Sequence, residues 1–224
     1  MKAIGYNFDV ITSGRWAFHS RVVPVIVLTD PAHAVPLAHA LLAGGIDVME
    51  VTLRHEAGLA CIEAVARSVP QMHVGAGTLT RVHEFKQVMQ AGARFALSPG
   101  LTPALHEAAA VAGLPFIPGA MTPSEVMQAR QWGYDTVKLF PAAQVGGLSM
   151  VKALAGPLGD VRLCPTGGVS PDNLAEFLRQ PNVAMVGGTW LVPPHLILGM
   201  QWSAITDLAR QACDIAAQVA SADR

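Results

Sequence analysis

The chain of 224 residues predicts an α/β fold, a (β/α)8 TIM barrel in a single domain spanning 1–224, and three observations carry that prediction. Short apolar, β-prone runs alternate with amphipathic helical patterns from end to end. Eight such runs occur, at residues 22–28, 48–53, 73–78, 95–98, 115–117, 136–140, 161–164 and 183–186. The positions at their ends (Glu50, Thr78, Pro99, Gly119, Lys138, Thr166 and Gly187) recur roughly every 23 residues, a compact βα repeat. Alternating strands and helices imply an all-parallel sheet, open or closed, and a count of eight favours closure. No linker or shift in composition marks a second domain, and barrels of this length are ordinary single domains.

The elements follow from periodicity and punctuation. Leu59, Ile62, Val65, Ala66 and Val69 share one helical face, as do Val82, Phe85 and Met89. Ile205, Leu208, Ala209, Ala212 and Ile215 repeat the pattern in the last helix. Asp30-Pro31, Thr102-Pro103, Thr122-Pro123 and Ser170-Pro171 each set a capping side chain before a proline suited to a first helical turn. Gly44, Gly92, Gly113 and Gly133 stand where helices should stop in a left-handed residue. A short extra helix is expected before the first strand, around residues 9–19.

Composition narrows the function. At 51% hydrophobic and 14% charged, the chain can bury a substantial core. A formal charge of −1 with no basic block argues against nucleic acid as a partner, and sparse aromatics give base stacking little support. Cys61, Cys164 and Cys213 are odd in number and widely spaced, which reads as reduced thiols in a cytoplasmic protein. The longest uncharged stretches, 108–124 and 183–201, are broken by Pro and Gly and read as core, not membrane spans. The eight histidines are scattered without metal-ligand spacing, so no metal is expected. Cys164 has no basic partner beside it and reads as core, not as a nucleophile.

Function in a barrel belongs to the C-terminal strand ends. Lysine is scarce: beside Lys138 there are only Lys2, Lys86 and Lys152. An ammonium inside an apolar strand bears a desolvation cost that favours its neutral form, the species that attacks a carbonyl to make a Schiff base. A lysine snorkelling to water is the competing reading, and the segment alone leaves the two level. Alternation in the second strand sends Glu50, Thr52 and Arg54 inward and Met49, Val51 and Leu53 toward the helices. A buried Glu50–Arg54 ion pair is one outcome. In the sixth strand Thr136, Lys138 and Phe140 share a face, so Lys138 and Glu50 converge at the mouth, with Glu50 suited to proton transfer. Arg54 offers a planar fork for a carboxylate. Gly167-Gly168 and Gly187-Gly188 end the last two strands, where backbone N–H groups can approach a phosphate.

These residues occur in order within Val23-Pro24-Val25-Ile26, Glu50-Val51-Thr52-Leu53-Arg54, Gly75-Ala76-Gly77-Thr78, Ser98-Pro99-Gly100, Ile117-Pro118-Gly119, Lys138-Leu139-Phe140-Pro141-Ala142, Cys164-Pro165-Thr166-Gly167-Gly168 and Gly187-Gly188-Thr189-Trp190-Leu191. From about Arg21 to Pro193 the chain resembles the 2-keto-3-deoxy-6-phosphogluconate (KDPG) aldolases, also described as 4-hydroxy-2-oxoglutarate (KHG) aldolases. The resemblance implies a class I lyase that splits a 2-keto-3-deoxy sugar acid phosphate into pyruvate and glyceraldehyde 3-phosphate without a cofactor. It implies Lys138 as the Schiff-base lysine and Glu50 as the acid–base group. Arg54 and Thr78 would take the pyruvate carboxylate, and Pro99 and Phe140 would line the imine pocket. Thr166, Gly167, Gly168, Gly187, Gly188 and Thr189 would hold the phosphate, Thr189 replacing the family's frequent serine. A homotrimer is implied in the same way. The 6-phosphogalactonate epimer and unphosphorylated KHG are alternative substrates, and a non-catalytic sugar-phosphate binder is the alternative of another class.

Overall fold

The computed structural model describes residues 16–222. In chain order, β1 (Val22–Ile26) leads through a 3-10 turn (Pro31–His33) to α1 (Ala34–Ala43), β2 (Val48–Thr52), α2 (Gly58–Ser68), β3 (His73–Gly77) and α3 (Val82–Gln90). Next come β4 (Ala96–Leu97), α4 (Pro103–Ala112), β5 (Phe116–Ile117), β6 (Gly119–Ala120), α5 (Pro123–Gln131), β7 (Thr136–Leu139) and α6 (Gly147–Ala155). The chain ends with β8 (Arg162–Leu163), α7 (Pro171–Leu178), β9 (Val186–Gly188), α8 (Pro194–Leu198) and α9 (Trp202–Ala222). The result is an α/β fold in which every strand pairing is parallel.

Six strands pair in the order β5-β4-β3-β2-β1-β9, and three in the order β6-β7-β8. The expected strand at 115–117 forms as β5, and an unexpected second piece, β6, follows Pro118, which has no N–H to give a ladder. The Pro118 carbonyl still accepts the Lys138 N–H at 2.8 Å and so ties the two sheets at this point. On the far side, parallel bridges join Leu163 to Val183 and Thr166 to Gly187, and the Gly187 N–H reaches the Pro165 carbonyl at 2.9 Å.

The caps form where the residue pairs predict. The Thr102 hydroxyl accepts the Leu105 N–H, Thr122 and Glu125 make a reciprocal box, and Asp30 accepts the Ala32 N–H at 2.8 Å. Other expectations need correction. Residues 16–19 of the expected N-terminal helix are not helical, because the Trp16 and Phe18 rings stack and cover Phe95; the remainder lies outside the described residues. Gly44 is right-handed (φ −88°), and Gly45 (φ 93°) makes the left-handed turn. What Gly44 provides is closeness, since a Cβ there would collide with Ala209 of α9. On α3 the buried residues are Phe85 and Val88, not Val82 and Met89, because Phe85 meets Phe116 edge-on at 5.1 Å. The last strand begins at Val186, three residues later than the pattern suggested for it.

Register sets the site. Glu50 is level with Val25 on one side and Gly75 on the other, and Lys138 is level with Gly119. All residues of β1, β2 and β7 are buried, so the two charged side chains sit inside the apolar body of the sheets.

Candidate active site

Glu50 and Lys138 arrive from strands 88 residues apart in sequence, and the Lys138 Nζ donates to Glu50 Oε1 at 3.0 Å. They are 0% and 2% exposed. Dehydrating both ions costs several kcal/mol each, and their attraction recovers little more than that, so stability alone is a poor reason to keep the pair. Among the described residues, Glu50 Oε2 is buried with no hydrogen-bond partner. The carboxylate thus spends one oxygen on lysine and keeps the other open. The Lys138 Nζ also lies 5.5 Å from the centre of the Phe140 ring.

Two glycines make the room. A Cβ on Gly77 would collide with the Glu50 carboxylate, and one on Gly75 with the Phe95 ring. Gly77, which leaves the Glu50 carboxylate its space, is a residue that periodicity overlooks. The available signal is a glycine alternating with another glycine on the strand facing a long acidic side chain. Thr78 follows in the left-handed region (φ 65°), which costs a β-branched residue about 1–3 kcal/mol. In that conformation its Oγ1 accepts from Arg54 Nε at 3.3 Å. Arg54 is exposed and, among the described residues, forms no ion pair. The Glu50–Arg54 pair considered from sequence is therefore replaced by Glu50–Lys138.

Arg54, Phe140 and Val25 line a cavity of about 200 Å³ together with Thr166, Gly167, Gly168, Val169, Gly187, Gly188 and Thr189. Gly167 and Gly168 are both left-handed (φ 95° and 84°), and a Cβ on Gly168 would collide with Ala143. Asn173 Nδ2 donates to the Gly168 carbonyl at 2.9 Å. Among the described residues, the N–H groups of Gly168 and Val169 have no acceptor. Open amides beside a guanidinium make an anion cradle. Thr189 is exposed at its rim, while the Thr166 hydroxyl is turned to the Cys164 carbonyl at 3.3 Å.

Pro99 stands apart from this cavity. It is half-buried at the end of β4, against Gly119, the register neighbour of Lys138. Burial pushes the Cys164 thiol up to about 12, an inert thiol at neutral pH. No group of three His, Cys, Asp or Glu among the described residues could hold a metal ion.

The chain has relatives among known proteins. The family model described as KDPG and KHG aldolase matches residues 16–208. A 2-dehydro-3-deoxy-phosphogluconate aldolase of Pseudoalteromonas atlantica is 49% identical over 191 residues, covering 85% of this chain and 89% of the relative. The KHG/KDPG aldolase of Escherichia coli K12 is 47% identical over 193 residues, 86% of this chain and 91% of the relative. Among solved structures, a KDPG aldolase from Legionella pneumophila, with pyruvate captured as a covalent carbinolamine, superposes with a TM-score of 0.84. It is 43% identical, with 92% of this chain and 97% of that one covered. A buried amine–carboxylate pair beside an anion cradle, on a chain matched over most of its length by relatives of one kind, leads to one conclusion: the chain belongs to the KDPG and KHG aldolase family.

Proposed function

We propose that this protein is a class I aldolase that cleaves KDPG to pyruvate and glyceraldehyde 3-phosphate in the cytoplasm. The observation that carries the reading is the buried Lys138 Nζ–Glu50 Oε1 contact of 3.0 Å, a nucleophile within reach of a proton acceptor. Lys138 attacks the C2 ketone, water leaves the carbinolamine, and an iminium forms. Glu50 takes the proton of the C4 hydroxyl, the C3–C4 bond breaks, and its electron pair moves into the iminium to give an enamine. Glyceraldehyde 3-phosphate departs. Protonation at C3 and hydrolysis of the imine then release pyruvate and regenerate the amine.

In this reading Arg54 and Thr78 hold the substrate carboxylate, with the Arg54–Thr78 hydrogen bond fixing the guanidinium. Phe140 and Pro99 wall the imine. The cradle of Thr166, Gly167, Gly168, Gly187, Gly188 and Thr189 takes the phosphate, supported by the open amides at Gly168 and Val169. The two sheets act as one closed (β/α)8 barrel in a single domain, a reading supported by the bonds across Pro118 and between Thr166 and Gly187. A homotrimer is the assembly that the family resemblance suggests, and light scattering in solution tests it. The free cysteines fit a reducing compartment, and no helix among the described residues is long and apolar enough to cross a membrane.

Borohydride added with pyruvate should leave a stable mass on Lys138. Unmodified protein, or equal labelling of Lys152, would overturn the assignment. Coupled assays of pyruvate release on KDPG, its galactonate epimer and KHG then identify the substrate. The dual name of the Escherichia coli relative is the reason to include KHG, which would give pyruvate and glyoxylate. A protein that binds phosphate ligands equally well as Lys138→Ala but never releases pyruvate would be a non-catalytic binder.

A further inference from the structure

Ser98 takes no part in the chemistry above, yet it is 0% exposed and its hydroxyl both donates and accepts. Its Oγ donates to the Gly100 carbonyl at 2.6 Å and accepts the Gly119 N–H at 3.3 Å. One hydroxyl therefore closes the turn around Pro99 and fastens it to β6. The fit is tight, because a Cβ on Gly119 would collide with the Pro99 carbonyl group. Gly119 is level with Lys138, and the Lys138 N–H is held by Pro118 next to it.

We infer that Ser98 is a positioning residue: its hydroxyl staples the Pro99 turn to the strand beside Lys138 and fixes the wall against which the imine forms. It acts without touching substrate. The inference rests on the reading of Lys138 as the Schiff-base lysine and Pro99 as a wall of its pocket. Removing the hydroxyl leaves a buried N–H and a carbonyl without their partner, so the turn is released from β6. An amine held in a looser pocket meets the ketone less often in a productive geometry.

The test compares wild type, Ser98→Ala and Ser98→Thr for the rate of borohydride-trapped pyruvate on Lys138, for kcat and KM, and for the melting midpoint. Well below its midpoint, Ser98→Ala should trap pyruvate roughly tenfold more slowly and lose kcat in parallel, with KM nearly unchanged. Ser98→Thr, which keeps the hydroxyl, should recover the rate. A folded Ser98→Ala that traps at the wild-type rate overturns the inference. So does a Ser98→Thr that melts like wild type yet traps as slowly as Ser98→Ala, and so does a change confined to KM. If wild type itself traps no pyruvate on Lys138, the Schiff-base reading falls, whatever Ser98→Ala does.

Discussion

The two ends of the strands treat their polar groups differently. At the N-terminal ends, three groups have their polar valences engaged. Both Asp47 oxygens accept backbone N–H groups, from His19 and Ser20, and the Arg21 guanidinium donates to three carbonyls. His73 gives one ring nitrogen to the Ala17 carbonyl at 2.7 Å and takes Arg94 on the other at 3.0 Å. At the C-terminal ends, valences stay open among the described residues: Glu50 Oε2, the amides at Gly168 and Val169, and an Arg54 guanidinium without a carboxylate. Thr78 adds a strained backbone there. One end satisfies these groups internally, and the other leaves its groups open, as the proposed substrate site requires.

Substitutions at the open end should separate activity from stability. Lys138→Met should reduce turnover at least about 10⁴-fold and destabilise by about 3–5 kcal/mol through the orphaned Glu50. Lys138→Met/Glu50→Leu should regain most of that stability in denaturant titrations while staying inactive. A stable Lys138→Met single variant would mean the pair contributes less than its burial implies. Glu50→Gln keeps the shape and removes the proposed base, and kcat should fall about 10²–10⁴-fold. Gly77→Ala pushes the Glu50 carboxylate from its seat, with a loss of roughly 10²-fold in kcat; wild-type kinetics would show that the seat is not needed.

The closed end should give the reverse. Asp47→Ala should cost about 1–3 kcal/mol of stability and leave kcat and KM of the folded enzyme unchanged. The smallest effect expected is on pH dependence. Burial, then the Arg94 guanidinium, hold His73 below its ordinary value of 6.5. The folded state therefore binds fewer protons than the unfolded chain, and stability declines as pH falls below about 6.5. His106, lowered by burial, has the same sign. Melting curves from about pH 7.5 to about pH 5.5 should be flatter for His73→Asn, which keeps an acceptor for Arg94 and cannot gain a proton.

Periodicity and capping were enough to place β1, β2, β3 and β7 within about two residues, because both signals are local to the segment that forms the element. The convergence of Glu50 with Lys138 was also legible, since alternation fixes which face a residue takes once the strands are known. The late start of β9 was not legible. Val183 to Met185 are as apolar as the strand itself, and their pairing depends on where Arg21 and Leu163 lie.

Sequence by itself determined the α/β alternation, the family and the residue types at the strand ends, because each is written in spacing along the chain. Only the tertiary structure decided that Glu50 bonds directly to Lys138 and leaves Arg54 unpaired with it, that Gly77 clears the carboxylate's seat, and that Thr78 turns left-handed to meet Arg54. It also assigned Ser98 to both sides of the Pro99 turn. These are contacts between strands, and their outcome depends on register and on ångström-scale clearance, which no single segment contains.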